Sequence, residues 1–126
     1  MSASTDRSTS ASGVPTPTEL AGAVERLAPL VRENALETER RRDPVPEVVA
    51  ALLAAGLHRL YMPRRFGGYG LDWGAHYMAG ERLSRECGST GWLVSLVFSH
   101  IMYVGRFEPE AQEEFFAAST EPVLAT

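Results

Sequence analysis

Few side chains in this sequence can do chemistry, and their spacing limits what they do. His58, His76 and His100 have no histidine one helical turn away and no pair of carboxylates beside them at ligand spacing, so nothing resembles a metal centre. Gly88-Ser89-Thr90-Gly91 is not a G-x-S-x-G elbow, and only Asp6, Asp43 and Asp72 are available as aspartates to orient a histidine. No nucleophile triad is supported. Cys87 precedes a helix start and admits two readings, a reactive thiolate or a thiol packed against apolar neighbours, of which packing is preferred. His100 is the one ionisable residue in the apolar stretch "WLVSLVFSHIMYV". Either it is a core histidine with both nitrogens satisfied, or it lines a pocket.

The stretch "MPRRFGGYG", residues 62–70, sets arginines beside glycines and raises the question of phosphate binding. A phosphate loop needs glycines between a strand and a helix, with amides and helix dipole aimed at the anion. Gly67-Gly68-Tyr69-Gly70 fits neither G-x-G-x-x-G nor the P-loop pattern, and the segment before it reads as helix. The alternative is a tight corner in which Pro63 fixes the chain and Phe66 and Tyr69 pin it to the body.

The elements that position these residues are helices. Thr16-Pro17-Thr18-Glu19 is a capping box with proline at the first helical position, and Leu20, Ala23, Val24, Leu27, Leu30 and Val31 continue as one apolar face. This first helix is expected to run to about residue 42. Arg40-Arg41-Arg42 then suits a helix C-terminus, with Glu37 four residues before Arg41. Asp43-Pro44-Val45-Pro46-Glu47 stops that helix and starts a second, carrying Val48, Val49, Leu52 and Leu53, which Gly56 ends in a left-handed turn. A third follows Asp72 to about Cys87, a fourth runs from Ser89 or Thr90 to about Val104, and a fifth opens at Glu108-Pro109. The fourth is apolar around nearly its whole circumference, which places it centrally in a larger body.

Composition sets the outer limits. The leader "MSASTDRSTSASGVP", residues 1–15, has little to bury and is read as disordered, leaving residues 16–126 as one helical unit. No segment approaches the roughly 18 consecutive apolar residues of a membrane span, so no membrane partner is expected. The net charge of -4 argues against general affinity for nucleic acid. The single cysteine excludes a disulfide within the chain and suits a reducing, cytoplasmic setting.

Three stretches together carry a family resemblance: "ALLAAGLHRLYMPRRFGGYGLDW", "ERLSRECGSTGWLVSLVFSH" and "FEPEAQEEFF". As a set they resemble the N-terminal helical domain of the acyl-CoA dehydrogenase superfamily, and within it the oxygenase components of two-component, flavin-dependent aromatic hydroxylases. The resemblance implies an all-α fold of about five helices, which in the family precedes a β-barrel-like middle domain and a C-terminal four-helix bundle. The chain then reads as a fragment, inactive alone and without tight flavin binding of its own. The complete enzyme would use reduced FMN or FAD from a separate flavin reductase, act on a small aromatic substrate and assemble as a homo-oligomer, a tetramer. By the same resemblance His100 contacts a substrate phenol, with Trp92 and Ser89 of "CGSTGW" as further substrate-binding residues. No catalytic residue is assigned. An acyl-CoA dehydrogenase proper and a non-enzymatic helical interaction module are the alternatives.

Overall fold

The computed structural model describes residues 13–118. The leader expectation for residues 1–15 falls mainly outside the described residues, as does the end of the unit assigned to 16–126. Six α-helices make up the described part: α1 (Pro17–Glu33), α2 (Ala35–Arg41), α3 (Pro46–Ala54), α4 (Trp73–Ser84), α5 (Gly88–Val104) and α6 (Pro109–Ala118). Single 3₁₀ turns at Leu57–Arg59 and Arg64–Phe66 link α3 to α4. No strand occurs among the described residues.

The capping box at the start of α1 forms as its residues require. Glu19 N–H donates to Thr16 Oγ1 at 3.2 Å and Thr16 N–H to the Glu19 carboxylate at 2.8 Å. The expected single helix to residue 42 is in fact two. Asn34 interrupts it with φ -99° and ψ 6°, and both its amide and its side-chain Nδ2 donate to the Leu30 carbonyl. A short polar side chain competing for a backbone carbonyl bends the ladder there, and α2 leaves in a new direction. Glu37 lies 3.9 Å from Arg40 rather than reaching Arg41, and Arg42 ends α2 in the left-handed conformation.

The glycine-rich stretch turns a corner. The amides of residues 67–71 donate in turn to the carbonyls of Arg64, Pro63, Arg59, Met62 and Leu60, so the loop folds back on the turn that precedes it. Gly68 sits so close to Met62 that a Cβ there would overlap its carbonyl. Asp72 then caps α4 by accepting from the amides of Gly74 and Ala75. The helix ends at Ser84, three residues short of the expected Cys87, because Cys87 is extended backbone opening α5.

α4 packs between α1 and α5. One core joins Leu20, Val24, Leu27 and Val31 of α1 to Val48 and Leu52 of α3, Ala79 and Leu83 of α4 and Val94, Val97 and Phe98 of α5. A smaller cluster of Met62, Ile101, Val104 and Phe116 closes the far end of α5. Gln112 fastens α6 there by donating to the carbonyls of Gly105 and Phe107 and accepting from Arg65. Across the outer surface, Arg82 bridges Glu25 and Glu86, and Arg32 also grips Glu86. Helix α5 has one side in the core and the other open.

Candidate functional site

The sequence-derived candidates all lie on α5. Thr90, Gly91, Val94, Val97, Phe98, Ile101 and Val104 are buried, whereas Trp92 and Tyr103 are 67% and 53% exposed and Leu96 and His100 half-buried. At about 100° per residue, Trp92, Leu96, Ser99 and Tyr103 fall on one stripe with His100 at its edge. An all-round apolar composition would place α5 centrally; within this chain only half its circumference is covered, and the other half presents aromatic and aliphatic surface.

Ser89 and Trp92 come together, lining a groove of about 700 Å³ with Glu39 and Arg42. The Ser89 hydroxyl is already engaged, donating to the Glu39 carboxylate at 2.5 Å. His100 does not line that groove. It lies about 12 Å further along the helix than Trp92, with its ring centroid 6.0 Å from that of Tyr103. Its Nδ1 is shut off from solvent and has no hydrogen-bond partner among the described residues. Buried polar atoms are nearly always paired, so this nitrogen is an acceptor or donor awaiting a partner.

His76, which sequence spacing left without a role, has a more developed environment. It is 4% exposed at the α4–α5 contact, and its Nε2–H donates to the Ser95 carbonyl at 2.9 Å. That bond fixes the tautomer, so Nδ1 carries a lone pair, and this atom too is buried and unpartnered among the described residues. Burial pushes the imidazole pKa below its ordinary value, partly opposed by the Ser95 bond. Tyr61 stacks on the same ring at 4.9 Å between centroids, and burial pushes its phenol up to about 12. His58 packs in the core near Phe98, and Cys87 is 5% exposed within the main cluster, in keeping with the packing reading.

The open face of α5 offers aromatic and aliphatic surface, with the half-buried His100 at its edge. The connector does not suit a phosphate, since every amide from 67 to 71 is spent on a carbonyl of the chain itself. Among the described residues no group of three or more His, Cys, Asp or Glu could hold a metal ion, and no helix is long and apolar enough to cross a membrane.

An all-helical unit with this order of elements, presenting one open face of its longest apolar helix, is the class of domain that opens the acyl-CoA dehydrogenase fold. Residues 19–119 match the acyl-CoA dehydrogenase N-terminal domain, and the chain belongs to that family. It is 35% identical over 98 residues to the oxygenase subunit HsaA of a flavin-dependent monooxygenase from Rhodococcus jostii, covering 78% of this chain and 26% of that protein. It is 33% identical over 105 residues to the oxygenase component of an FADH(2)-dependent resorcinol hydroxylase from a Rhizobium species, covering 83% of this chain and 26% of the relative. The crystal structure of the HsaA monooxygenase from M. tuberculosis superposes with a TM-score of 0.82 at 32% identity, over 86% of this chain and 30% of that one. The chain thus spans about a quarter of the length of the curated relatives it matches, at their N-terminal end.

Proposed function

We propose that this chain is the N-terminal wall of the substrate pocket in a two-component, reduced-flavin-dependent monooxygenase that hydroxylates a small phenolic ring. The observation that carries the reading is His100, half-buried at the edge of the open face of α5 with its Nδ1 unpartnered among the described residues, in a chain whose relatives are named as oxygenase components of such enzymes. A dehydrogenase acting on acyl thioesters has no comparable need for a histidine there. Residues 16–126 form the family's first domain in this reading, and a middle and a C-terminal domain complete the site. A separate reductase supplies reduced FMN or FAD, and the complete enzyme is a homo-oligomer.

Bound reduced flavin would supply the activation of oxygen. The part of this chain is to hold the ring and exclude water. Leu96 and Tyr103 offer apolar surface against which an aromatic ring can lie, and the His100 imidazole takes the phenol O–H as its partner. Drawing that proton toward the imidazole leaves the ring richer in electrons at the carbon to be hydroxylated. Ser89 and Trp92 border the groove at the other end of the helix and limit how far a substituent extends.

The reading is tested by joining residues 13–118 to the remaining three quarters of the Rhodococcus jostii relative and supplying reduced flavin, oxygen and a panel of phenols. Formation of a ring-hydroxylated product supports it. A folded, flavin-loaded chimera that hydroxylates none of them, while the unaltered relative turns over its own substrate, overturns it.

A further inference from the structure

A second cleft lies between α4 and α5, lined on α5 by Ser95 and Ser99 and not by His100. It has a volume of about 340 Å³, and His76, Trp73, Tyr77, Ser95 and Ser99 contribute to its lining. Trp73 and Tyr77, one helical turn apart, form its aromatic wall with ring centroids 5.9 Å apart. Both are exposed, Tyr77 at 67%. The opposite wall is short, because α5 offers only serines there, and Ser99 Oγ is turned back to its own helix at the Leu96 carbonyl. Gly80, with no side chain, lets α5 approach and brings the Ser95 carbonyl within reach of His76.

The polar element is His76, nine-tenths buried, with Nε2–H committed to Ser95 and Nδ1 left as an acceptor without a partner among the described residues. A buried acceptor without a donor costs free energy that a ligand donor would recover. Aromatic walls with one buried acceptor select a flat ring that carries an O–H or N–H. We infer that the α4–α5 cleft is a second aromatic-binding site, taking a small planar ring against Trp73 and Tyr77 with its O–H or N–H donated to His76 Nδ1. This site is independent of His100 and does not require that the monooxygenase reading be correct.

The test is a titration of the 126-residue chain with phenol, and separately with toluene, at pH 8, followed by NMR of the tryptophan indole and histidine imidazole signals. Phenol is expected to give saturable shifts at Trp73 and His76, and toluene, which lacks the donor, to bind at least tenfold more weakly. His76→Phe is expected to abolish the preference for phenol. His76→Gln, which can still donate to Ser95 and offer an acceptor, restores part of it. Equal affinity for phenol and toluene, the absence of saturation, or shifts confined to Trp92 and His100 would each overturn the inference. The phenol and toluene comparison, read at the Trp73 indole signal of the unaltered chain, decides the matter even where a His76 variant fails to fold.

Discussion

Gly91 of α5 rests on Ser84 of α4 so closely that a Cβ at 91 would stand 2.6 Å from the Ser84 Cα and overlap its hydroxyl. Backbone, not a flexible side-chain end, blocks the added carbon, so the two helices must separate to admit it. Gly91→Ala is expected to destabilise the chain by about 2 kcal/mol or more, as overpacking does. A thermal melt would show this as a fall on the order of 10 °C. Because the same crossing sets the rotation of α5, the variant also shifts His76 away from Ser95, which imidazole NMR would register. An unchanged melt would mean that the α4–α5 crossing admits a side chain at 91 without cost.

Glu86 gives the chain an acid-sensitive clasp. Hydrogen bonds from Arg32 at 2.6 Å and Arg82 at 2.7 Å hold its carboxyl pKa down at about 2. A carboxylate depressed in the folded state contributes stability above its ordinary value, and that contribution is lost as pH falls from about 4.5 toward 2. His76, lowered by burial, has the same sign at higher pH, its contribution fading as pH falls below about 6.5. Stability measured by denaturant from pH 8 to pH 2 should therefore decline in two stages. Glu86→Gln should flatten the lower stage and leave the upper one. An identical acid limb in the variant would show that the arginines do not hold Glu86 ionised.

How much of this was legible in the residues depends on range. The capping box at Thr16, the turn at Gly56 (φ 77°) and the start of α4 after Asp72 are local, and the sequence places all three correctly. The break at Asn34 is local too but was hidden, because an asparagine inside an apolar period looks like a solvent-facing residue until its side chain takes the Leu30 carbonyl. The His76 cleft could not be read at all, since its parts come from Trp73 and Ser99, which only the α4–α5 crossing brings together. Trp73 and Tyr77 at i and i+4 were the available signal, and aromatic residues at helical spacing ordinarily mean core. For His100 the periodicity left core and pocket open, and its family assignment rested on resemblance.

The open face of α5 should make the isolated chain self-associate. Trp92, Tyr103 and Phe107 are each more than half exposed, and Trp73 and Tyr77 extend the aromatic surface along α4. Sedimentation velocity at rising concentration is expected to reveal species heavier than a monomer, and Trp92→Gln with Tyr103→Gln to return the chain to a monomer. A strict monomer at all concentrations would show that this face needs no cover.

Flavin should bind weakly to the 126-residue chain. With the amides of 67–71 consumed internally, the connector has no backbone cradle left for a phosphate, and the open α5 face offers one wall instead of an enclosed site. Titration of reduced and oxidised FMN and FAD is expected to show no saturation at micromolar concentration. Tight saturable binding would place the flavin site within this chain.

The central claim is that His100 orients and deprotonates a phenol. The most direct measurement follows single-turnover ring hydroxylation by stopped-flow in the Rhodococcus jostii chimera, comparing the parent with His100→Ala and His100→Asn, with oxygen consumption and phenol affinity read in the same experiments. A loss of one to two orders of magnitude in hydroxylation, with oxygen consumption retained, is the predicted result. Hydroxylation at the parent rate, accompanied by a lower melting temperature, would contradict it and leave His100 as a packing residue.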